Sequence, residues 1–405
     1  MPDHIIHCPD APLEIIRLLT AHGHSAYAVG GCVRDSLLGT QPHDWDITTS
    51  ALPEETLEIF KSYHTIPTGL QHGTVTVMID HEPYEITTFR IDGAYSDSRH
   101  PESVTFSSRV ADDLARRDFT INALAWNEND GIVDCYDGIS DLGKRMIRAV
   151  GVAKERFEED ALRILRGYRF ASQLDFEIEQ ETRRALISEA PRLENISRER
   201  VSAEMRRLVT YGAAPRVLRM LEEDKIFGYV FVGAPYALPR ISDRIAELAP
   251  EFEDRFAFLL YECDKETVRT YLHGLRLSNR QFDDILKLCD RDGLITAQFD
   301  DVAYHARRLL AAYGELTERS LKIAALYGKD VTALSQQVAL AQKNGDPLTL
   351  SALAVTGKDL IAEKIAAGKA VGATLSALLD LVLHDPSMND RETLLSAARK
   401  RAENL

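Results

Sequence analysis

The aspartates of Asp44-Trp45-Asp46, shortly after the diglycine Gly30-Gly31, are the first groups in the chain whose types and spacing point to chemistry. In an extended segment, alternate side chains share a face, so Asp44 and Asp46 stand together and Trp45 points away. Paired carboxylates offer hard oxygen ligands to Mg²⁺. Two such ions can activate an attacking hydroxyl and steady the pyrophosphate leaving a nucleoside triphosphate. The surrounding pattern reads as a strand over 27–29, a tight turn at Gly30-Gly31, and a helix over 32–38 whose first amides can face a phosphate. A second strand opens at Asp46. Taken alone, such a fragment is more commonly a solvated turn.

Three further groups carry chemistry. Glu85 adds a third carboxylate if an antiparallel strand lies beside the Asp44-Asp46 strand; the alternative is a solvent-facing edge glutamate. Arg116-Arg117-Asp118-Phe119-Thr120-Ile121-Asn122 offers arginine for phosphate oxygens, and aspartate with asparagine for sugar hydroxyls; its plainer reading is a helix start capped by Asp118. The run 159–170 reads as one helix. There Asp160 and Arg163 are neighbours three residues apart, and Arg166 and Arg169 continue the row. An acceptor beside a donor matches the Watson–Crick edge of cytosine or adenine and refuses uracil and guanine, at about 1–3 kcal/mol per unpaired group. An ion pair on a wet helix face is the commoner fate of this spacing. His72, in the turn 69–75, is assigned no chemistry.

These groups need elements to hold them. Strand-like alternation over 74–79 and 84–89 stops near residue 150, and from Glu158 onward apolar residues recur at three and four. The chain of 405 residues, 45% hydrophobic, has the length for two to four domains. The expected fold is α+β, a head with a small mixed sheet followed by an all-α remainder. No apolar run reaches bilayer length and the first ten residues lack a secretion signal, so a soluble cytoplasmic protein with no membrane partner is expected. Five scattered cysteines without Cys-x-x-Cys spacing point to reduced thiols. The net charge of −15 disfavours indiscriminate nucleic-acid binding. A nucleic-acid partner must therefore meet local cations, of which the arginine-rich segment 144–207 is the source; ion pairs on a solvated face are the alternative.

The motifs together resemble the class II tRNA nucleotidyltransferases, or CCA-adding enzymes, over nearly the whole chain. Gly30-Gly31 with Arg34-Asp35 and Asp44-Trp45-Asp46 resembles that family's metal and triphosphate motif, and Arg116-Arg117-Asp118 with Asn122 its ribose motif. Asp137-Gly138 with Asp141-Leu142 is similar to its hinge motif, Glu159-Asp160-Ala161-Leu162-Arg163 to its templating motif, and Ser197-Arg198-Glu199-Arg200 with Glu204 to the helix-stabilising motif that follows. The segment from Thr356-Gly357-Lys358-Asp359-Leu360 through Gly368 and Gly372 resembles the part that holds the tRNA elbow.

The resemblance implies a polymerase β-like head (1–150), a nucleotide-selecting neck (151–215), a body (216–305) and a tail (306–405). It implies addition of C, C and A to tRNA from CTP and ATP without a template. Asp44 and Asp46 would bind Mg²⁺ and Glu85 would assist. Gly30, Gly31 and Arg34 would serve the triphosphate, Arg117, Asp118 and Asn122 phosphate and sugar, and Asp160 with Arg163 the base; Arg166 and Arg169 would line the same pocket. The expected partners are tRNA, through acceptor stem and elbow, and both nucleotides; whether the chain forms a homodimer is not legible.

Relatives that add only A, or poly(A), share these motifs. The loop over 90–101 argues against CC-only addition, and the strand 74–79 and absence of a strongly basic C-terminal run weaken the poly(A) reading. An antibiotic-modifying nucleotidyltransferase would have no use for the helical region, and a catalytically silent RNA-binding protein would have no use for Asp44, Asp46 and Glu85. His384-Asp385, without spaced histidine partners, reads as a loop.

Overall fold

The structure, a computed structural model, describes residues 6–93, 103–233, 243–289, 293, 295 and 300–403. The chain divides into two compact units, Met1–Tyr236 with Gly274–Arg276, and Ala237–His273 with Leu277–Leu405.

In chain order the first unit opens with α1 (Asp10–Ala21), β1 (Ala26–Val29), α2 (Gly31–Leu37), β2 (Ile47–Thr49), α3 (Pro53–Ile59), β3 (His64–Gly69), β4 (Thr74–Ile79) and β5 (Glu82–Thr88). It continues through β6 (Arg90–Asp92), β7 (Val104–Phe106), α4 (Val110–Ala115), β8 (Leu124–Asn127), β9 (Gly131–Asp134), α5 (Gly138–Lys144) and β10 (Met146–Ile147). Seven strands form one sheet in the order β3-β4-β5-β2-β1-β8-β9. The sheet is mixed because β2 runs parallel to β5 while its other pairings are antiparallel. β1 lies inside the sheet and is buried along its whole length, whereas β4 alternates buried Val75, Val77 and Ile79 with half-buried threonines and Met78. One core cluster joins Tyr27, Val29, Phe89, Leu114, Ala123, Ala125 and Val150, tying β1 and β8 to the start of the next segment. β6 and β7 pair as a separate ribbon; the rest of the expected 90–101 loop, from residue 94, lies outside the described residues.

Helices then take over: α6 (Ala153–Glu159), α7 (Leu162–Leu174), α8 (Gln180–Glu189), α9 (Arg198–Thr210), α10 (Ala214–Glu223) and α11 (Phe227–Val230). One strand breaks the expected all-helical pattern past residue 150. β11 (Glu177–Ile178) pairs in parallel with β10, a two-residue strand too short to leave a period in the sequence. The second unit holds α12 (Phe252–Leu260), α13 (Lys265–Gly274), α14 (Asn279–Leu288), α15 (Val302–Tyr313), α16 (Leu316–Leu326), α17 (Thr332–Asn344), α18 (Gly357–Ala362), α19 (Lys369–His384) and α20 (Arg391–Glu403). A cluster around Val355, Leu360, Leu378, Val382 and Leu394 packs the last three of these together. Thr356 and Asp359 form a reciprocal capping box at the start of α18.

His384 was expected in a loop; it is the last residue of α19 and stacks on Tyr304 with ring centroids 3.4 Å apart. All five cysteines are free thiols, three of them buried. Among the described residues no helix is long and apolar enough to cross a membrane.

Candidate functional site

The strand, turn and helix at residues 26–37 form as the spacing predicts. Gly30 has φ +82°, and a Cβ there would lie 2.7 Å from Arg117 Nη1, so glycine both permits the turn and lets that guanidinium cross beside it. The next acids alternate in exposure as expected: Trp45 is buried while Asp44 and Asp46 are open. Val29 N–H donates to the Asp46 carbonyl at 2.9 Å, which pins the segment to the end of β1.

Glu85 lies beside them, on a strand of the other orientation. β5 runs parallel to β2 and places Ile86 opposite Ile47, so one residue earlier Glu85 falls alongside Asp46. The antiparallel arrangement expected is not found: the reversals from β3 to β4 and from β4 to β5 cancel, so β5 returns in the direction of β3, which is also that of β2. The acids sense one another. Crowding by protein pushes the Asp46 carboxyl above its ordinary value, Arg117 opposes this and Asp44 adds to it. Desolvation, then Asp46, then Asp44 raise Glu85 in the same direction.

Among the described residues no three His, Cys, Asp or Glu side chains are grouped to hold a metal ion. Two adjacent carboxylates, each adding negative charge at the other, fit Mg²⁺ in its usual form, in which one or two carboxylates are completed by substrate phosphate and water.

Facing these acids is a set of restrained arginines. Arg34 is buried, donates from Nη1 to Asn122 Oδ1 at 2.6 Å and from Nε to Asp35 Oδ1 at 2.8 Å. Arg117 reaches buried Asp113 at 3.4 Å, and its own Nε is buried without a hydrogen-bond partner. Asp118 is enclosed: burial alone would raise its carboxyl, but Arg166 and then Arg163 overcome this and hold it down to about 2. Its oxygens accept from Arg166 Nε at 2.7 Å, Phe119 N at 2.8 Å and Asn122 Nδ2 at 3.3 Å. Arg169 donates to Glu204 at 2.6 Å and to Gln173 at 2.8 Å. A cavity of about 420 Å³ is lined by Gly31, Arg34, Asp44, Asp46, Arg117, Asp118, Asn122, Arg166 and Arg169, so most of the sequence-derived candidates meet in one place.

Asp160 and Arg163 do not join them, and the expected single helix over 159–170 is broken. α6 ends at Glu159, Asp160 is extended at φ −139° and ψ 103°, and α7 starts at Leu162. The cause is the Asp160 carboxylate, which accepts from Leu162 N at 3.0 Å and from both terminal nitrogens of Arg200 at 3.3 and 2.8 Å. An aspartate satisfied this way favours a helix start over a helix interior. Arg163 donates instead to Glu159 at 2.5 Å, the Arg156 carbonyl at 3.0 Å and the Arg116 carbonyl at 2.8 Å. Asp160 and Arg163 therefore have separate partners, and the cavity wall comprises Arg166 and Arg169 without them.

The arginine-rich segment is largely consumed the same way, in pairs such as Arg148–Asp141, Arg156–Glu159 and Arg183–Asp224. Six lining residues were not among the expected site residues: Cys32, His43, Phe170, Gln173, Arg207 and Tyr211. For Arg207 and Tyr211 the signal was helical spacing from Arg200 and Glu204 along α9 to the residue that follows its end, and for Phe170 and Gln173 their place beside Arg166 and Arg169 on α7.

A mixed sheet that presents two carboxylates to an arginine-lined cavity defines the class of a nucleotidyltransferase. Residues 26–148 match the family model described as "Poly A polymerase head domain", 175–239 that described as "Probable RNA and SrmB- binding site of polymerase A", and 250–398 that described as "tRNA nucleotidyltransferase domain 2 putative". The CCA-adding enzyme of Geobacillus kaustophilus (strain HTA426) is 37% identical over 409 residues, 96% of each chain. That of Enterococcus faecalis (strain ATCC 700802 / V583) is 36% identical, covering 96% of this chain and 95% of the relative. Among solved structures, the Bacillus stearothermophilus CCA-adding enzyme in complex with CTP is similar with TM-score 0.76 and 33% identity, over 97% of this chain and 98% of that one. The chain belongs to the family of CCA-adding enzymes.

Proposed function

We propose that the chain adds C, C and A to the 3′ end of tRNA from CTP and ATP, without a nucleic-acid template, by Mg²⁺-dependent nucleotidyl transfer. The observation that carries this reading is the cavity in which Asp44 and Asp46 face Arg34, Arg117, Arg166 and Arg169. The CTP bound in the Bacillus relative supports the choice of nucleotide.

In the reaction the RNA 3′ oxygen forms a bond to the α-phosphorus, the bond to pyrophosphate breaks, and the hydroxyl proton leaves to the acidic side of the pocket. Mg²⁺, when bound by Asp44 and Asp46, supplies Lewis acidity to the hydroxyl and the leaving group. Glu85 assists as the third carboxylate. Gly30 and Gly31 let the backbone approach the triphosphate, and Arg34 and Arg117 hold its oxygens. Asn122, fixed by Arg34 and Asp118, is positioned for the sugar. Asp118 works from behind, holding Arg166 toward the cavity. Base selection by Asp160 and Arg163 then calls for an exchange of partners, with Arg200 and Glu159 yielding to the edge of the base.

The four-part division into a head (1–150), neck (151–215), body (216–305) and tail (306–405) is part of the proposal, as are tRNA contacts by the tail. The compact-unit boundary at Tyr236 falls within the 216–305 segment. The test is extension of two tRNA transcripts, one ending at the discriminator base and one ending in CC, with Mg²⁺ and labelled CTP or ATP. Three additions to the first, absent from Asp44→Ala, are expected. A lone A on the second only would make this an A-adding enzyme, and long A tails on either would make it a poly(A) polymerase.

A further inference from the structure

Three arginines of the catalytic cavity surround one aromatic ring. The guanidinium carbons of Arg169, Arg166 and Arg34 lie 3.8, 5.3 and 5.4 Å from the centre of the Phe170 ring. All four residues line the cavity that Asp44 and Asp46 face. Each cation also has its own carboxylate: Asp35 for Arg34 at 2.8 Å, Asp118 for Arg166 at 2.6 Å and Glu204 for Arg169 at 2.6 Å. Those carboxylates come from α2, the segment before the 120–122 turn, and α9, so the ring stands where three separate supports converge. Its own position is fixed, since Phe170 is 4% exposed and meets Phe119 edge-on with centroids 5.8 Å apart and planes at 78°.

Three like charges around one point repel, and the bonds of Arg34 to Asp35 and Asn122, of Arg166 to Asp118 and of Arg169 to Glu204 and Gln173 draw the guanidiniums toward three different supports. The ring adds what the carboxylates lack. Its negative face attracts cations without neutralising them, so the arginines are drawn to a common centre while keeping their charge for a ligand. An anionic ligand with several oxygens, presented to such a wall, meets donors whose spacing is set before it arrives, which lowers the ordering cost of binding.

We propose that Phe170 is a positioning residue that gathers Arg34, Arg166 and Arg169 into one preformed site for the phosphates of the incoming nucleotide. This deepens the reading given under Proposed function and rests on it. Three consequences separate the role from plain core packing. Affinity for the triphosphate depends on the electron density of the ring and not on its volume. The effect falls on nucleotide binding more than on RNA binding. Tyrosine, which keeps the π face, restores what leucine loses.

The test replaces Phe170 in the full-length protein with mono-, di- and trifluorinated phenylalanine, which weaken the ring's negative face at nearly constant shape. The Kd for CTP is measured by equilibrium binding without turnover. Phe170→Leu and Phe170→Tyr are measured alongside, with melting temperature and Kd for a tRNA lacking CCA. Expected is a stepwise rise in the Kd for CTP with fluorine number, about tenfold for Phe170→Leu. Recovery in Phe170→Tyr and little change in RNA affinity are expected with it, and the fluorinated series is expected to keep the wild-type melting temperature. A Kd for CTP that is flat across the fluorinated series overturns the proposal, as does a loss that tracks melting temperature alone. Wild-type protein that binds no CTP would instead refute the nucleotide reading on which the proposal stands, and the two failures are thereby distinct.

Discussion

At the scale of single residues, the site depends on groups whose surroundings over-determine them. Gly30 combines a left-handed turn with the close approach of Arg117. Gly30→Ala is expected to cost about 1–2 kcal/mol from the positive φ alone, read as a lower urea midpoint, together with a larger fall in kcat/KM because Arg117 must shift. Asp118 supplies a pH signature. Its folded pKa is depressed to about 2, below the ordinary aspartate value near 3.9, so the stability it contributes is fully present above the unfolded pKa. That stability, about 2 kcal/mol, disappears as pH falls through the range from 4 to 2. Urea titrations at stepped pH are expected to show this acid limb in wild type and to lose it in Asp118→Asn.

At the scale of elements, the paired carboxylates were legible because alternation along an extended segment is a local property, and Trp45 between two open aspartates bears it out. What was not legible depended on distant partners. The break between α6 and α7 combines a local bond, from Leu162 N to the Asp160 carboxylate, with a distant one from Arg200, 40 residues away, and the apolar spacing of 159–170 announces neither. The parallel run of β5 beside β2 follows from the two reversals between β3 and β5, which cancel, and β11 is too short to register as a period. The hinge-like motif gives a prediction at this scale. A Cβ on Gly138 would lie 2.3 Å from the Thr120 carbonyl, and Asp141 accepts from Thr120 Oγ1 at 2.6 Å, so α5 and the turn carrying Asn122 are locked together. Gly138→Ala is expected to lose about 1–3 kcal/mol and to raise KM for nucleotide by displacing Asn122, as thermal melts and steady-state kinetics will show.

For the whole molecule, charge sets the terms of RNA binding. With a net charge of −15, and with arginines such as Arg148, Arg156 and Arg183 already paired, a polyanion meets net repulsion except at a local basic surface. Duplex DNA in roughly tenfold phosphate excess is therefore expected to displace little tRNA; a competition filter assay checks this, and strong displacement would point to an indiscriminate basic surface. The fold class was readable at this scale, since loss of alternation near residue 150 marks where sheet gives way to helices.

In the proposed function the protein itself chooses the nucleotide. The direct measurement is the ratio of kcat/KM for CTP over UTP on a tRNA ending at the discriminator base, in wild type and in Asp160→Asn. An amide can offer a donor where the carboxylate only accepts. A strong preference for CTP is expected in wild type, falling by roughly 100-fold in the variant. A variant that is slower but keeps the wild-type ratio would contradict it, and would place base selection outside the Asp160–Arg163 pair.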